Sequence, residues 1–395
     1  MTRPAPSVRA LTVVIAPDSF KGSLTSVEVA RAMAAGWAVA RPADTIRLAP
    51  LADGGEGTLV AVYEAGGWAW VESPASDPLG RPIQVRWLRS VDGEGAFVEL
   101  AAASGLSRVR PDERDPLAAS TFGTGEVLRA VLDAGIRRIV LGIGGSATTD
   151  GGSGILVALG ARLLGAGEAE VAGRGGGVLA DVAGVDLSGL DPRLAETELL
   201  VACDVSNPLL GPEGAAAVYG PQKGAAPEDV ARLESGLARW ADALEAATGR
   251  RERETPGAGA AGGVGFALLC LTDRLGSLGL EPGVELVMAQ AGLERTLRAA
   301  DLVLTGEGRI DAQTGFGKTA LGVARLAAGV GVPCIAVGGG VEPDGAAALA
   351  VVGAIAVPVV ESPISLVGAI AAGAESIERC GERLARLISI GARLG

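Results

Sequence analysis

The sequence contains no histidine, a single asparagine (Asn207) and only three lysines among its 34 basic residues. Aromatic residues make up 3% of the 395 positions, and the four cysteines show no C-x-x-C spacing. Each shortage excludes something. Without histidine there is no Ser-His-Asp or Cys-His catalysis, no His-ligated zinc and no imidazole proton shuttle. General-base work falls to carboxylates, and cationic work to Lys, Arg or a metal held by oxygen ligands. A net charge of −12 with no basic tract makes nucleic acid a poor partner, because phosphate backbones require clustered cations. The longest uncharged run, 345–360, has 16 residues and contains Pro358, short of the ~20 that span a bilayer. It reads as a helix end followed by a buried strand. The apolar stretch 11–17 meets Asp18 too soon for a signal peptide. Cys203, Cys270, Cys334 and Cys380 read as reduced, mostly buried thiols of a cytoplasmic protein.

What is abundant is glycine, 61 residues against a usual share of about 7%. The three lysines are all placed beside it: Lys21 in FKGS, Lys223 in QKGA and Lys318 in FGKT. A chain that writes Arg at nearly every other cationic position has kept a compact ammonium at these three, and the two cations are not interchangeable.

The hydrophobic rhythm predicts an α/β protein. The first 70 residues read β-α-β-α, with Thr25 and Glu28 as a capping box opening the helix SVEVARAMAAGWAVA. From about residue 68, WAWVES, PIQVRWLR and GAFVELA read as antiparallel strands separated by turns. A further α/β stretch follows, with helix GTGEVLRAVLDAG, strand RRIVLGI, a long Gly/Thr/Ser loop and helix GILVALGARLLG. Then come strand ELLVACDV, an exposed helix over 227–249, and β-α-β rhythm again from DLVLTGE onward. Parallel α/β at both ends around a β-rich interruption predicts a discontinuous domain of residues 1–72 and 285–395, with 73–284 inserted.

Acids cluster where such sheets bind ligands, at the carboxyl ends of strands. Asp18 follows the first strand, Asp53 and Glu56 the second, Asp204 the strand ELLVAC, and Glu307 and Asp311 the strand DLVLTG. Carboxylates and lysines in glycine loops suit phosphoryl transfer: cations and amides hold phosphates, carboxylates hold Mg²⁺, and one takes the acceptor hydroxyl's proton. The two familiar phosphate-binding patterns are weaker. Gly142-Ile-Gly144-Gly145-Ser146-Ala147 matches a dinucleotide fingerprint, but TTDGGSG intervenes before the next helix. Residues 312–319, AQTGFGKT, resemble a P-loop with Ala for the first Gly, six residues beyond the expected strand end. A P-loop nucleotide hydrolase or small hydroxy-acid kinase centred on Lys318, and a non-enzymatic small-ligand-binding protein, stay open at this point.

Taken together, the blocks APDSFKGSLT, PLADGGEGT, GTGE, LGIGGSATTDGGSG, ACDVSNPLLGPEGAAAVYGPQKGA, PGAGAAGGVGFAL and TGEGRIDAQTGFGKTALGVA resemble the glycerate kinase type 1 family, in order over most of the chain. The resemblance implies ATP- and Mg²⁺-dependent phosphorylation of D-glycerate, at the 2-hydroxyl. It also implies a Rossmann-like parallel-sheet domain built from both termini, an inserted second α/β domain and a cleft between them. Small molecules are the implied partners, with no nucleic acid and no membrane; homo-oligomerisation is left open. Thr149 and Thr319 depart from the family pattern, which argues against an essential Mg²⁺ ligand at Thr319.

On that resemblance Asp18, Lys21 and Asp204 are the catalytic candidates. Ser19, Asp53, Arg309 and Asp311 would bind substrate. Gly144, Gly145, Ser146, Asn207, Lys223, Gly257, Gly259 and Lys318 would bind ATP, and Asp53, Glu56 and Glu307 the metal.

Overall fold

The computed structural model describes residues 9–52, 54–312, 314 and 319–393. Among them the strands run in chain order β1 (Thr12–Pro17), β2 (Thr45–Leu48), β3 (Trp68–Ser76), β4 (Pro82–Ser90), β5 (Gly95–Glu99), β6 (Arg138–Gly142), β7 (Arg162–Leu164), β8 (Gly184–Asp186), β9 (Glu198–Ala202), β10 (Ser277–Glu281), β11 (Leu302–Ile310), β12 (Cys334–Val341) and β13 (Ile355–Pro358). Contacts divide the chain into two compact units. Unit 1 comprises Met1–Asp53, Val60–Gly66 and Val284–Gly395; unit 2 comprises Gly54–Leu59 and Gly67–Gly283.

Unit 1 is built on a five-stranded sheet in the order β13-β12-β11-β1-β2, every pair parallel. Counted within the unit this is 2-1-3-4-5, a doubly wound order whose direction reverses between β1 and β11. β1 lies inside the sheet between β11 and β2 and is buried on both faces, which is why TVVIAP is apolar without alternation. The helix Ser26–Ala40 starts at the expected capping box, with Thr25 accepting from the Glu28 amide and Glu28 from the Thr25 amide. It packs against the helix Leu366–Gly391 through two glycines. A Cβ on Gly36 would stand 1.8 Å from the Glu378 carbonyl oxygen, and one on Gly381 2.5 Å from that of Met33. Met33, Trp37, Ile377, Cys380 and Leu384 fill the core beside this contact.

Unit 2 carries a six-stranded mixed sheet, order β10-β9-β6-β5-β4-β3. β4 pairs antiparallel with both β3 and β5 as expected, but β5 also pairs with β6 in parallel, as do β6 with β9 and β9 with β10. The carboxyl ends of the four parallel strands lie in one register row: Glu99, Gly142, Ala202 and Glu281.

Four sequence expectations change. The helix Pro227–Thr248 is amphipathic rather than exposed: Leu233, Leu237, Trp240 and Leu244 follow helical spacing and are all buried. The helix expected over 154–165 is only Ser153–Ala158, because Gly160, at φ +106°, turns the chain into β7. The run 345–360 is indeed a helix end (Pro343–Val351) and a strand, but β13 is a half-exposed edge strand. Finally, β11 does not stop near Glu307. Arg309 and Ile310 pair with Gly340 and Val341, so only Asp311 separates the strand from Ala312, and the spacing objection to a P-loop falls. Gln313 and 315–318 themselves, Lys318 included, lie outside the described residues.

Candidate active site

In unit 1 the strand order reverses between β1 and β11, and the chain places Asp18 there. Its amide donates to Gly306 O on β11, 2.8 Å away. Both carboxylate oxygens are held: Oδ1 accepts from the Ser19 amide at 2.6 Å and Oδ2 from the Thr319 hydroxyl at 2.6 Å. Thr319 is the buried first residue of the helix Thr319–Gly329. Sequence reasoning set its hydroxyl aside as a metal ligand; the structure gives it the carboxylate instead. Lys21 stands exposed at the tip of a tight turn in which the Phe20 and Leu24 amides donate to each other's carbonyls. Gly22, at φ +79°, supplies the left-handed residue this turn needs.

The remaining unit 1 candidates are tied into the same loop region. Buried Glu307 accepts the Thr314 hydroxyl at 2.6 Å, and the Thr314 amide donates to Asp311 O. Arg309 is exposed and ion-paired with Glu342, with Asp311 at 3.7 Å. Asp53 lies outside the described residues.

In unit 2 the loop Gly54–Leu59 lies across the ends of the parallel strands. Gly144 N–H donates to Gly54 O, and Cβ atoms on Gly142 or Gly144 would meet Gly54 and Gly55 backbone at 2.6–2.7 Å. These glycines are required for close approach of two backbones. Glu56 is exposed on this loop. Beneath it lies Glu99, which sequence reasoning missed. Its Oε1 accepts the Leu59 amide at 2.6 Å. Burial and the nearby Glu56 charge push its carboxyl up to about 7, against the pull of the Leu59 and Thr58 amides. Asp204, exposed beyond β9, accepts the Gly283 amide at 2.8 Å.

The loop after β6 turns on a second missed acid, Asp150. It is fully buried and receives the Thr121 amide and hydroxyl, the Ser120 hydroxyl and the Gly152 and Gly154 amides. Burial raises its pKa against these donors. Lys223 reaches into the same loop, with Nζ 2.9 Å from Ser146 Oγ and 2.5 Å from Thr148 O. Trp240 closes it from the helix side, donating to Gly151 O at 2.8 Å.

Some sequence candidates also hold the local structure. Asn207 Nδ2 donates to Glu213 O, its Oδ1 accepts from the Tyr219 hydroxyl, and its backbone carbonyl accepts from the Gly259 amide. A Cβ on Gly259 would stand 2.3 Å from Pro208 O, while Gly257, at φ +90°, packs on Cys203. Gly145, at φ +72°, lets the loop fold back, its carbonyl accepting from Leu106 N–H.

Among the described residues no group of three or more Cys, Asp or Glu side chains is arranged to hold a metal. Mg²⁺ needs fewer, since it keeps waters and takes one or two carboxylates plus phosphate oxygens. The exposed carboxylates of Glu56 and Asp204 are of that chemistry.

Known proteins agree on what these features amount to. The model of the glycerate kinase family matches residues 13–389. Over 334 residues the chain is 46% identical to a glycerate kinase of Bacillus subtilis (strain 168) and 43% identical to the glycerate 2-kinase of Escherichia coli (strain K12), covering 85% of this chain and 86% of each relative. A crystal structure of a provisionally named glycerate kinase 2 from Salmonella typhimurium LT2 superposes with a TM-score of 0.83 at 42% identity, over 97% of this chain and 99% of that one. A doubly wound sheet with acid and lysine at its switch point in one unit, and glycine loops on parallel strand ends in the other, are the equipment of an α/β phosphotransferase. Within that class, the chain belongs to the glycerate kinase family.

Proposed function

We propose that the chain transfers the terminal phosphoryl group of ATP to D-glycerate at the 2-hydroxyl, giving 2-phosphoglycerate and ADP. The observation that carries the chemistry is Asp18. A carboxylate at a sheet's switch point, with both oxygens fixed by hydrogen bonds, is preorganised to accept a proton from an attacking hydroxyl. Lys21, exposed three residues on, supplies positive charge for the substrate carboxylate or the transferring phosphoryl group. In unit 2 the loop 142–149, backed by Lys223, is suited to hold an oxyanion. Glu56 and Asp204 would hold Mg²⁺, which when bound neutralises phosphate charge.

Among the described residues no helix is long and apolar enough to cross a membrane, and the four cysteines are free. Both features suit a cytoplasmic enzyme acting on small molecules. The test is ADP release with ATP, Mg²⁺ and D-glycerate. Release that requires D-glycerate supports the assignment. ATP consumption indifferent to D-glycerate would transfer the case to a nucleotide hydrolase.

A further inference from the structure

The loop after β6 presents a hydrogen-bonding arrangement that the kinase reading does not by itself explain. Lys223 is 3% exposed, yet among the described residues its amine touches only two oxygens, Ser146 Oγ and Thr148 O. A carbonyl only accepts, so one N–H is committed to Thr148. Ser146 is different: its hydroxyl has one hydrogen and lone pairs besides. A charged ammonium has no lone pair, so Ser146 must accept from it and place its own hydrogen elsewhere. Among the described residues nothing accepts that hydrogen, and the hydroxyls of Thr148 and Thr149, both fully buried, likewise lack a partner. Buried hydroxyls left unmatched cost free energy, so two of them beside a serine whose hydrogen is unspent point to an acceptor-rich ligand.

We propose that Lys223 is a positioning residue that acts on an oxyanion ligand through Ser146, donating to the serine oxygen and thereby committing the serine's hydrogen to a phosphate or carboxylate oxygen. The proposal rests on the kinase reading, which supplies one ligand of each kind. It also reassigns Lys223, which sits too deep to be the first contact.

A consequence for pH follows from the same geometry. Among the described residues the charge acting on Lys223 is that of Asp150, which favours the ammonium; Arg114 packs on the next residue, Gly224, and donates to the preceding one, at Gln222 O. Burial outweighs Asp150 and lowers the Lys223 pKa to about 7. Once neutral, the amine gains a lone pair that can take the Ser146 hydrogen. The ligand then loses its donor.

The experiment is calorimetric titration of the full chain and of Ser146→Ala with ADP and, separately, with D-glycerate, at pH 6 and pH 8.5. Taking the ratio of the two proteins' affinities cancels the ligands' own titration. For one ligand, Ser146→Ala should bind roughly tenfold more weakly at pH 6, the loss expected for one hydrogen bond to a charged group, and the ratio should shrink toward one at pH 8.5. Loss confined to ADP identifies the phosphate, and loss confined to D-glycerate the carboxylate. Equal affinities at both pH values overturn the proposal, as does a loss that does not change with pH. If the unaltered chain binds neither ligand, the kinase reading itself has failed, which is distinguishable from either result.

Discussion

Replacing Glu99 by Gln should stabilise the protein above about pH 4.5, with the full gain reached above pH 7. The carboxyl is 7% exposed and accepts the Leu59 amide while facing the charge of Glu56. Its pKa rises from 4.5 in the ordinary case to about 7 in the fold. Below pH 4.5 folded and unfolded chains both hold the proton, and Glu99 costs nothing. Between 4.5 and 7 the unfolded chain has released its proton and the folded chain has not, so stability falls as pH rises. Above 7 both are ionised and the deficit is constant. At roughly 1.4 kcal/mol per pH unit that deficit approaches about 3 kcal/mol. Gln keeps a carbonyl oxygen for the amide and never ionises, so it should recover about 1–3 kcal/mol of this. Urea unfolding of both proteins at pH 4.5 and pH 8.5 reads the effect. Near-equal stabilities at the lower pH and a clear gain for Glu99→Gln at the higher are expected. A gain or loss of the same size at both would refute the argument.

Two further predictions use the same kind of contrast. Gly36→Ala puts a methyl 1.8 Å from a backbone oxygen, so overpacking of about 1–3 kcal/mol or more should outweigh the ~1 kcal/mol that alanine gains in a helix. Gly329→Ala, with nothing within 4 Å, should instead be neutral or slightly stabilising; a denaturation midpoint for Gly36→Ala at or above that of the unaltered chain would contradict the helix contact. Thr319→Val removes the hydroxyl that holds Asp18 Oδ2, and kcat should fall roughly ten- to a hundredfold, the worth of a hydrogen bond to a charged group, with Thr319→Ser restoring it. Unchanged kcat in the valine variant would mean the Asp18 geometry does not matter to turnover.

How far the sequence could be read depended on which force set each feature. The ends of unit 1 were legible because buried parallel strands are apolar throughout and the Thr25–Glu28 capping box is local. Asp18 was legible as an acid at a strand end. Glu99 ends a strand in the same way, but β5 was read as antiparallel, and its parallel pairing with β6 comes from residues some forty positions away. Asp150 lay inside a recognised block yet drew no notice, since nothing local tells a buried acid from a turn-forming one. Lys223 was found by scarcity, but its depth is set by the surrounding loop and not by its neighbours in the chain. The tie between Thr319 and Asp18 spans 301 residues, beyond any local pattern. Gly144 and Gly259, expected to donate to phosphate, are also needed where backbones touch, which no local pattern shows.

On the proposed function, this chain phosphorylates D-glycerate at the 2-hydroxyl with Asp18 as the base. Phosphorus NMR of the protein with ATP, Mg²⁺ and D-glycerate, run beside Asp18→Asn, tests it in one spectrum each. The unaltered chain should give a growing 2-phosphoglycerate resonance, and the variant a rate lower by about 10²–10⁴. A 3-phosphoglycerate resonance, no product, or undiminished turnover by Asp18→Asn would contradict it.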